Sequence, residues 1–100
     1  MEIDKKEETI KQLYKCYIVE KDLIKALNKL KMLKLSFPDP IYDYDYIMLE
    51  ALKKTSASSF ESACNDLKAL LHTDIENGFV FSKYDLLFYL GFNLFYMDRI

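Results

Sequence analysis

Apolar side chains recur along most of this chain at helical spacing. Ile10, Leu13, Tyr14, Tyr17 and Ile18 follow one another in steps of 3, 1, 3 and 1, which places them on one face of a helix. That helix is predicted over about residues 5–18, with Asp4 at its cap and Glu7 three positions on as the returning partner. A second stripe, Leu23, Ala26, Leu27, Leu30 and Leu33, predicts a helix over about 21–36. Pro38 closes it, because the residue before a proline avoids the α region. Asp39-Pro40 then reads as a cap followed by proline in the first helical turn. The third helix carries Ile41, Tyr44, Ile47, Met48, Ala51 and Leu52 and is expected to run to about Lys54.

Thr55-Ser-Ala-Ser-Ser59 reads as a loop, with Ser58 and Glu61 as a capping box for a fourth helix. Phe60, Ala63, Cys64, Leu67, Leu70 and Leu71 line that helix, and Asn77-Gly78 marks its expected stop. Ser82 and Asp85 open a fifth helix, expected over about 82–98. From Leu86 to Met97 only Gly91 and Asn93 interrupt its aliphatic and aromatic run. A surface helix of a finished domain keeps a polar face, and this one has almost none.

Two glycines and two prolines in 100 residues are too few for an all-β chain, which needs turn residues every 8–12 positions. The fold class is therefore all-α, five helices in antiparallel hairpins, within one domain spanning residues 1–100. A chain of this length can fold alone with little margin. Net charge is -2, without the excess of Lys and Arg that nucleic-acid binding draws on, so no nucleic-acid partner is expected. Lys21, Lys25, Lys29, Lys31 and Lys34 form a basic helix answered by Asp39, Asp43, Asp45 and Glu50, and the two groups are expected to pair.

Cys16 and Cys64 lack metal-site or disulfide-framework spacing and are expected as small buried hydrophobes in a reducing compartment. No secretory signal opens the chain, and the location expected is cytoplasmic. The apolar run near the C-terminus, about twelve residues, falls short of the ~20 a spanning helix requires, so no membrane span is expected.

Chemistry-bearing side chains do not assemble into a catalytic pattern. His72, the single histidine, falls near the end of helix four, where a cation suits the helix dipole. Asp39, Asp43 and Asp45 alternate with Tyr42, Tyr44 and Tyr46, but Pro40 and the lack of a glycine turn argue against a calcium loop. Capping explains Asp39 and Asp43, and the Tyr/Asp edge as a rim for a basic partner is a second reading. No catalytic residue, metal ligand or cofactor is expected.

A repeat emerges when the helix pairs are aligned. Unit one, about 7–40, contains Ile10-x-x-Leu13-Tyr14-x-x-Tyr17, then Ala26-x-x-x-Leu30-x-x-Leu33, then Pro38. Unit two, about 41–78, is looser: Tyr44, Ile47, Met48 and Ala51 precede Ala63, Leu67 and Leu70. A third first helix offers Leu87-x-x-Leu90-Gly91-x-x-Leu94. The pattern resembles the tetratricopeptide repeat over about residues 8–98, with Tyr14 in a small-residue position, Leu33 in an alanine position and no proline closing unit two. The resemblance implies a right-handed array of helix pairs curved into a protein-binding groove. It also implies that Gly91 admits a neighbouring helix close to its backbone. In size, charge and helix count the chain is similar to the needle-subunit chaperones of bacterial type III secretion.

These readings converge on a non-catalytic chaperone or adaptor that holds an apolar helix of a protein partner. The alternative is a structural subunit that dimerises through its C-terminal helix. Upstream residues are too few to cover that helix, so Phe88, Phe92, Phe95 and Tyr96, with Gly91, are expected on the partner surface. Tyr44 and Met48 of unit two are expected to join them. Tyr14, Tyr17 and Phe60 are expected in the core.

Overall fold

A computed structural model describes residues 2–98, with side chains described from Lys6 onward. Five α-helices form and no strand does among these residues: α1 Glu2–Val19, α2 Leu23–Ser36, α3 Pro40–Ser56, α4 Phe60–Leu71 and α5 Lys83–Met97. Each helix packs on the next, and α5 also touches α3. The array measures 51 × 29 × 19 Å.

Local chemistry accounts for most boundaries. The Asp22 side chain accepts from the Lys25 amide at 3.1 Å and starts α2. Asp39 accepts from Ile41 at 3.1 Å, with Pro40 in the first turn of α3. Lys21 and Ser58, each immediately before a helix cap, take the left-handed region with φ of 62°, which lets the chain reverse within a few residues. Ser58 is thereby spent on the turn. The cap of α4 is Ser59, without a side-chain cap bond, so the expected Ser58–Glu61 box does not form. α1 begins upstream of Asp4, which therefore does not cap it; the Asp4 side chain lies outside the described residues. Glu7 instead accepts from the Tyr42 hydroxyl of α3 at 2.5 Å.

α4 stops at Leu71, well before the expected Asn77-Gly78. The amides of His72 and Thr73 bond to the carbonyls of Ala69 and Leu70, and the Thr73 hydroxyl caps Leu70 at 2.8 Å. Residues 73–81 then run irregularly along α3, delivering Phe79, Val80 and Phe81 to the core.

The central element is α3. Its stripe of Tyr44, Met48 and Ala51 is buried, and so is a second stripe of Tyr42, Asp45 and Leu49. Around it lie Ile10 and Tyr14 of α1, Leu27, Leu30 and Leu33 of α2, and Ala63, Cys64, Leu67 and Leu70 of α4. Tyr14 is in the core as expected, Tyr17 packs against its edge, and Phe60 is half-buried. Cys64 is buried, and burial pushes its thiol pKa up. Cys16 is exposed, contrary to expectation, because it lies on the side of α1 away from α2 and α3. Lys34 and Asp43 pair across α2 and α3 at 3.2 Å, one instance of the expected match between basic and acidic groups.

Candidate protein-binding surface

The capping box predicted at Ser82 and Asp85 is present. The Ser82 amide donates to the Asp85 carboxylate at 2.8 Å and the Asp85 amide to the Ser82 hydroxyl at 3.4 Å. From this fixed start α5 presents two opposite apolar faces. The inner one carries Leu86 and Asn93, both fully buried, with Tyr89 and Leu90 packed against the core. Asn93 is a polar anchor rather than an interruption. Its amide donates to the Tyr89 carbonyl at 2.7 Å, and its carbonyl oxygen lies 3.0 Å from the Thr55 hydroxyl of α3. That hydroxyl also lies 2.9 Å from the Ala51 carbonyl, and its single proton serves one acceptor at a time.

The outer face follows the helical steps Tyr84, Leu87, Phe88, Gly91, Leu94 and Phe95. Tyr84 is 85% exposed, Phe88 65%, Phe95 52% and Leu87 47%. Gly91 lies at the centre of this face, and a Cβ built on it meets nothing within 4 Å. The close helix approach expected at Gly91 is therefore not made among the described residues. Phe92 and Tyr96 edge the same surface, their ring centroids 4.6 Å apart, and Tyr96 stacks on Phe60 of α4 at 5.6 Å. No charged side chain occurs between Asp85 and Asp98.

Of the sequence-predicted partner residues, Phe88, Gly91, Phe92, Phe95 and Tyr96 all lie exposed on α5. Tyr44 and Met48 do not join them. They are 1% and 0% exposed, because α3 is covered by other elements on both its apolar stripes. The Tyr44 hydroxyl is buried with no hydrogen-bond partner among the described residues, and burial, then the nearby Asp85 and Asp45, push its pKa up.

Sequence reasoning missed the role of Asp45. Its carboxylate, fully buried, accepts from the Tyr14 hydroxyl at 2.7 Å and from the Val80 and Phe81 amides at 2.9 and 3.3 Å. Gly78 passes so close that an added Cβ would fall 1.9 Å from Asp45 Oδ1. Desolvation raises the Asp45 pKa, against the opposing pull of these hydrogen bonds. The same burial, with the Asp45 charge behind it, raises that of Tyr14. The available signal was the spacing of Tyr42, Asp45 and Leu49, which makes an acid part of a buried stripe. This cluster binds the chain to itself and withdraws Asp45 from the Tyr/Asp edge expected to meet a basic partner.

His72 is the exposed C-cap of α4. Among the described residues no group of three or more His, Cys, Asp or Glu side chains is arranged to hold a metal ion. No helix among them is long and apolar enough to cross a membrane. No family model matches the chain, and comparisons with characterised proteins and with solved structures likewise yield no match.

Proposed function

We propose that this chain is a non-catalytic protein-binding module, a small chaperone or adaptor whose outer α5 face takes an apolar helix from a protein partner. The observation that carries this reading is the uncharged, outward stripe from Tyr84 to Phe95, held on a helix whose opposite face is anchored in the core. Burying one such ring is worth roughly 1.5–3 kcal/mol, a large term beside a typical domain stability of ~5–15 kcal/mol. A stripe of exposed aliphatic and aromatic side chains at i, i+3, i+4 and i+7 fits the anchor spacing of a partner helix. A tetratricopeptide-like arrangement of antiparallel hairpins is part of the same reading, supported by the serial packing of neighbours along an elongated array.

The test is binding of a fluorescent designed amphipathic helix with one leucine-rich face. The double variant Leu87→Glu/Phe88→Glu should lose at least about tenfold in affinity, equal to 1.4 kcal/mol, while its circular dichroism and melting profile stay those of the parent. Equal binding by the variant would move the site off α5.

A further inference from the structure

We infer that the outer face of α2 docks on the surface of a lipid bilayer that contains anionic phospholipid. This face belongs to a different helix from α5 and stands independently of the α5 reading.

The first observation is the charge of α2. Its 14 residues hold Lys25, Lys29, Lys31 and Lys34 and no acid, although the net charge of the chain is -2. Lys21 stands exposed in the turn before the helix. Lys25 pairs with Asp22 at 3.8 Å and Lys34 with Asp43 at 3.2 Å. Lys21, Lys29 and Lys31 make no ion pair among the described residues. The Lys29 ammonium rests instead 4.0 Å from the Met32 sulfur. The nearest acids in sequence fall beyond the two helix ends, Glu20 and Asp22 before it and Asp39 and Asp43 after it. The length of the face between them carries one sign.

The second observation is how apolar and cationic side chains are layered. At about 3.6 residues per turn, Ile24, Asn28, Met32 and Leu35 lie opposite the buried stripe of Ala26, Leu27, Leu30 and Leu33. Leu35 is 87% exposed and Ile24 66%. Lys25 and Lys29 flank this outermost line on one side, Lys31 and Lys34 on the other. Laid on a plane, the apolar side chains reach deepest and the ammonium groups stay level with the plane, their stems lying along it. That is the layering of a helix seated at a membrane surface, where apolar burial and attraction to anionic lipid add.

The third is a cleft of about 310 Å³ beside this line, lined by Lys31, Lys34, Leu35 and Tyr46 of α3. The Lys34 ammonium lies 4.1 Å from the centre of the Tyr46 ring. Apolar walls beneath two ammonium groups suit an anionic amphiphile, with its phosphate at Lys31 and its first chain carbons against Leu35 and Tyr46. Other occupants fit less well. A second copy offering the same face brings lysine to lysine. A nucleic acid would set its phosphates against the apolar line. An acidic protein would need a pocket for each protruding side chain, which a fluid bilayer supplies without shape matching.

The experiment is co-sedimentation of the full chain with phosphatidylcholine vesicles, pure or mixed with phosphatidylserine. The chain should sediment with the mixed vesicles and not with the pure ones, and added salt should weaken the binding. Lys29→Glu/Lys31→Glu and Ile24→Ser/Leu35→Ser should each lose at least about tenfold in affinity. Both should keep the parent's circular dichroism and its binding of the designed apolar helix. The chain has no tryptophan, so Leu35→Trp gives a local reporter, whose emission should shift to the blue on mixed vesicles; that of Leu87→Trp should not. No binding to mixed vesicles, equal binding to pure ones, or undiminished binding by either double variant would overturn the inference. A blue shift at residue 87 without one at residue 35 would overturn it by moving the contact to α5. Polyglutamate bound as tightly as the vesicles would overturn it in favour of an acidic protein partner. None of these failures touches the helix-binding assay on α5.

Discussion

Gly78 and Gly91 stand in opposite surroundings, and the contrast divides the molecule. At Gly78 the backbone is pressed against the Asp45 carboxylate so closely that no side chain fits. At Gly91 a side chain would meet nothing. The first glycine is fully explained by the chain's own packing. The second is not: it costs about 1 kcal/mol of helix propensity relative to alanine, and no contact among the described residues uses the space it leaves. The Asp45 carboxylate is held by donors from within the chain, whereas the outer face of α5 stays open among the described residues.

The strongest way to break this contrast is to place a methyl group at each glycine. Gly78→Ala forces the 78–81 segment off Asp45, leaving a buried carboxylate and two amides short of partners. Unsatisfied buried groups cost about 1–3 kcal/mol each, more when charged, so a loss of about 3–4 kcal/mol is expected in urea unfolding. A near-neutral result would mean that the segment is not held by Asp45.

The Asp45 carboxyl supplies a second, smaller lever. Its pKa in the folded chain is raised above the ordinary 3.8 by burial. Between the unfolded and folded values the native state holds more protons than the unfolded one, so stability falls as pH rises through that window. The contribution is fully present below the unfolded pKa. Urea denaturation from pH 4 to pH 7 should therefore show the parent losing stability relative to Asp45→Asn as pH increases. A constant difference between the two proteins across that range would remove burial as the governing influence on this carboxyl.

Gly91→Ala carries the smallest expected effect and the opposite sign. In the chain alone it should raise stability by up to about 1 kcal/mol, read from chemical unfolding, while binding of the designed apolar helix weakens. Destabilisation by this substitution would show that Gly91 already serves a contact inside the chain.

Much of this arrangement was legible from residue order. Five helices, the Asp39-Pro40 start and the Ser82–Asp85 box follow from short-range chemistry, which acts within one turn. The exposure of Phe88, Phe92, Phe95 and Tyr96 followed from the all-round apolar pattern of α5. What was not legible depends on residues distant in sequence. Gly78 carries the local signature of a helix stop, yet its position is set by Asp45, and α4 ends earlier so that residues 79–81 can reach the core. Tyr44 and Met48 share the helical spacing of surface anchors, and only the covering of both sides of α3 places them inside. Asn93 looked like a break in an apolar run because its partner, Thr55, comes from another helix.

The Asp45 cluster also bears on how the molecule comes apart. Units in a repeat array touch only their neighbours, so such arrays can fray from either end. Here a single carboxylate on the middle helix joins the first helix, through Tyr14, to the connector that leads into the last, through Val80 and Phe81. Unzipping from the amino-terminal side must break the Tyr14 bond and leave the buried Asp45 carboxyl one donor short. The five helices are tied across their middle, and their unfolding should be all-or-none rather than progressive.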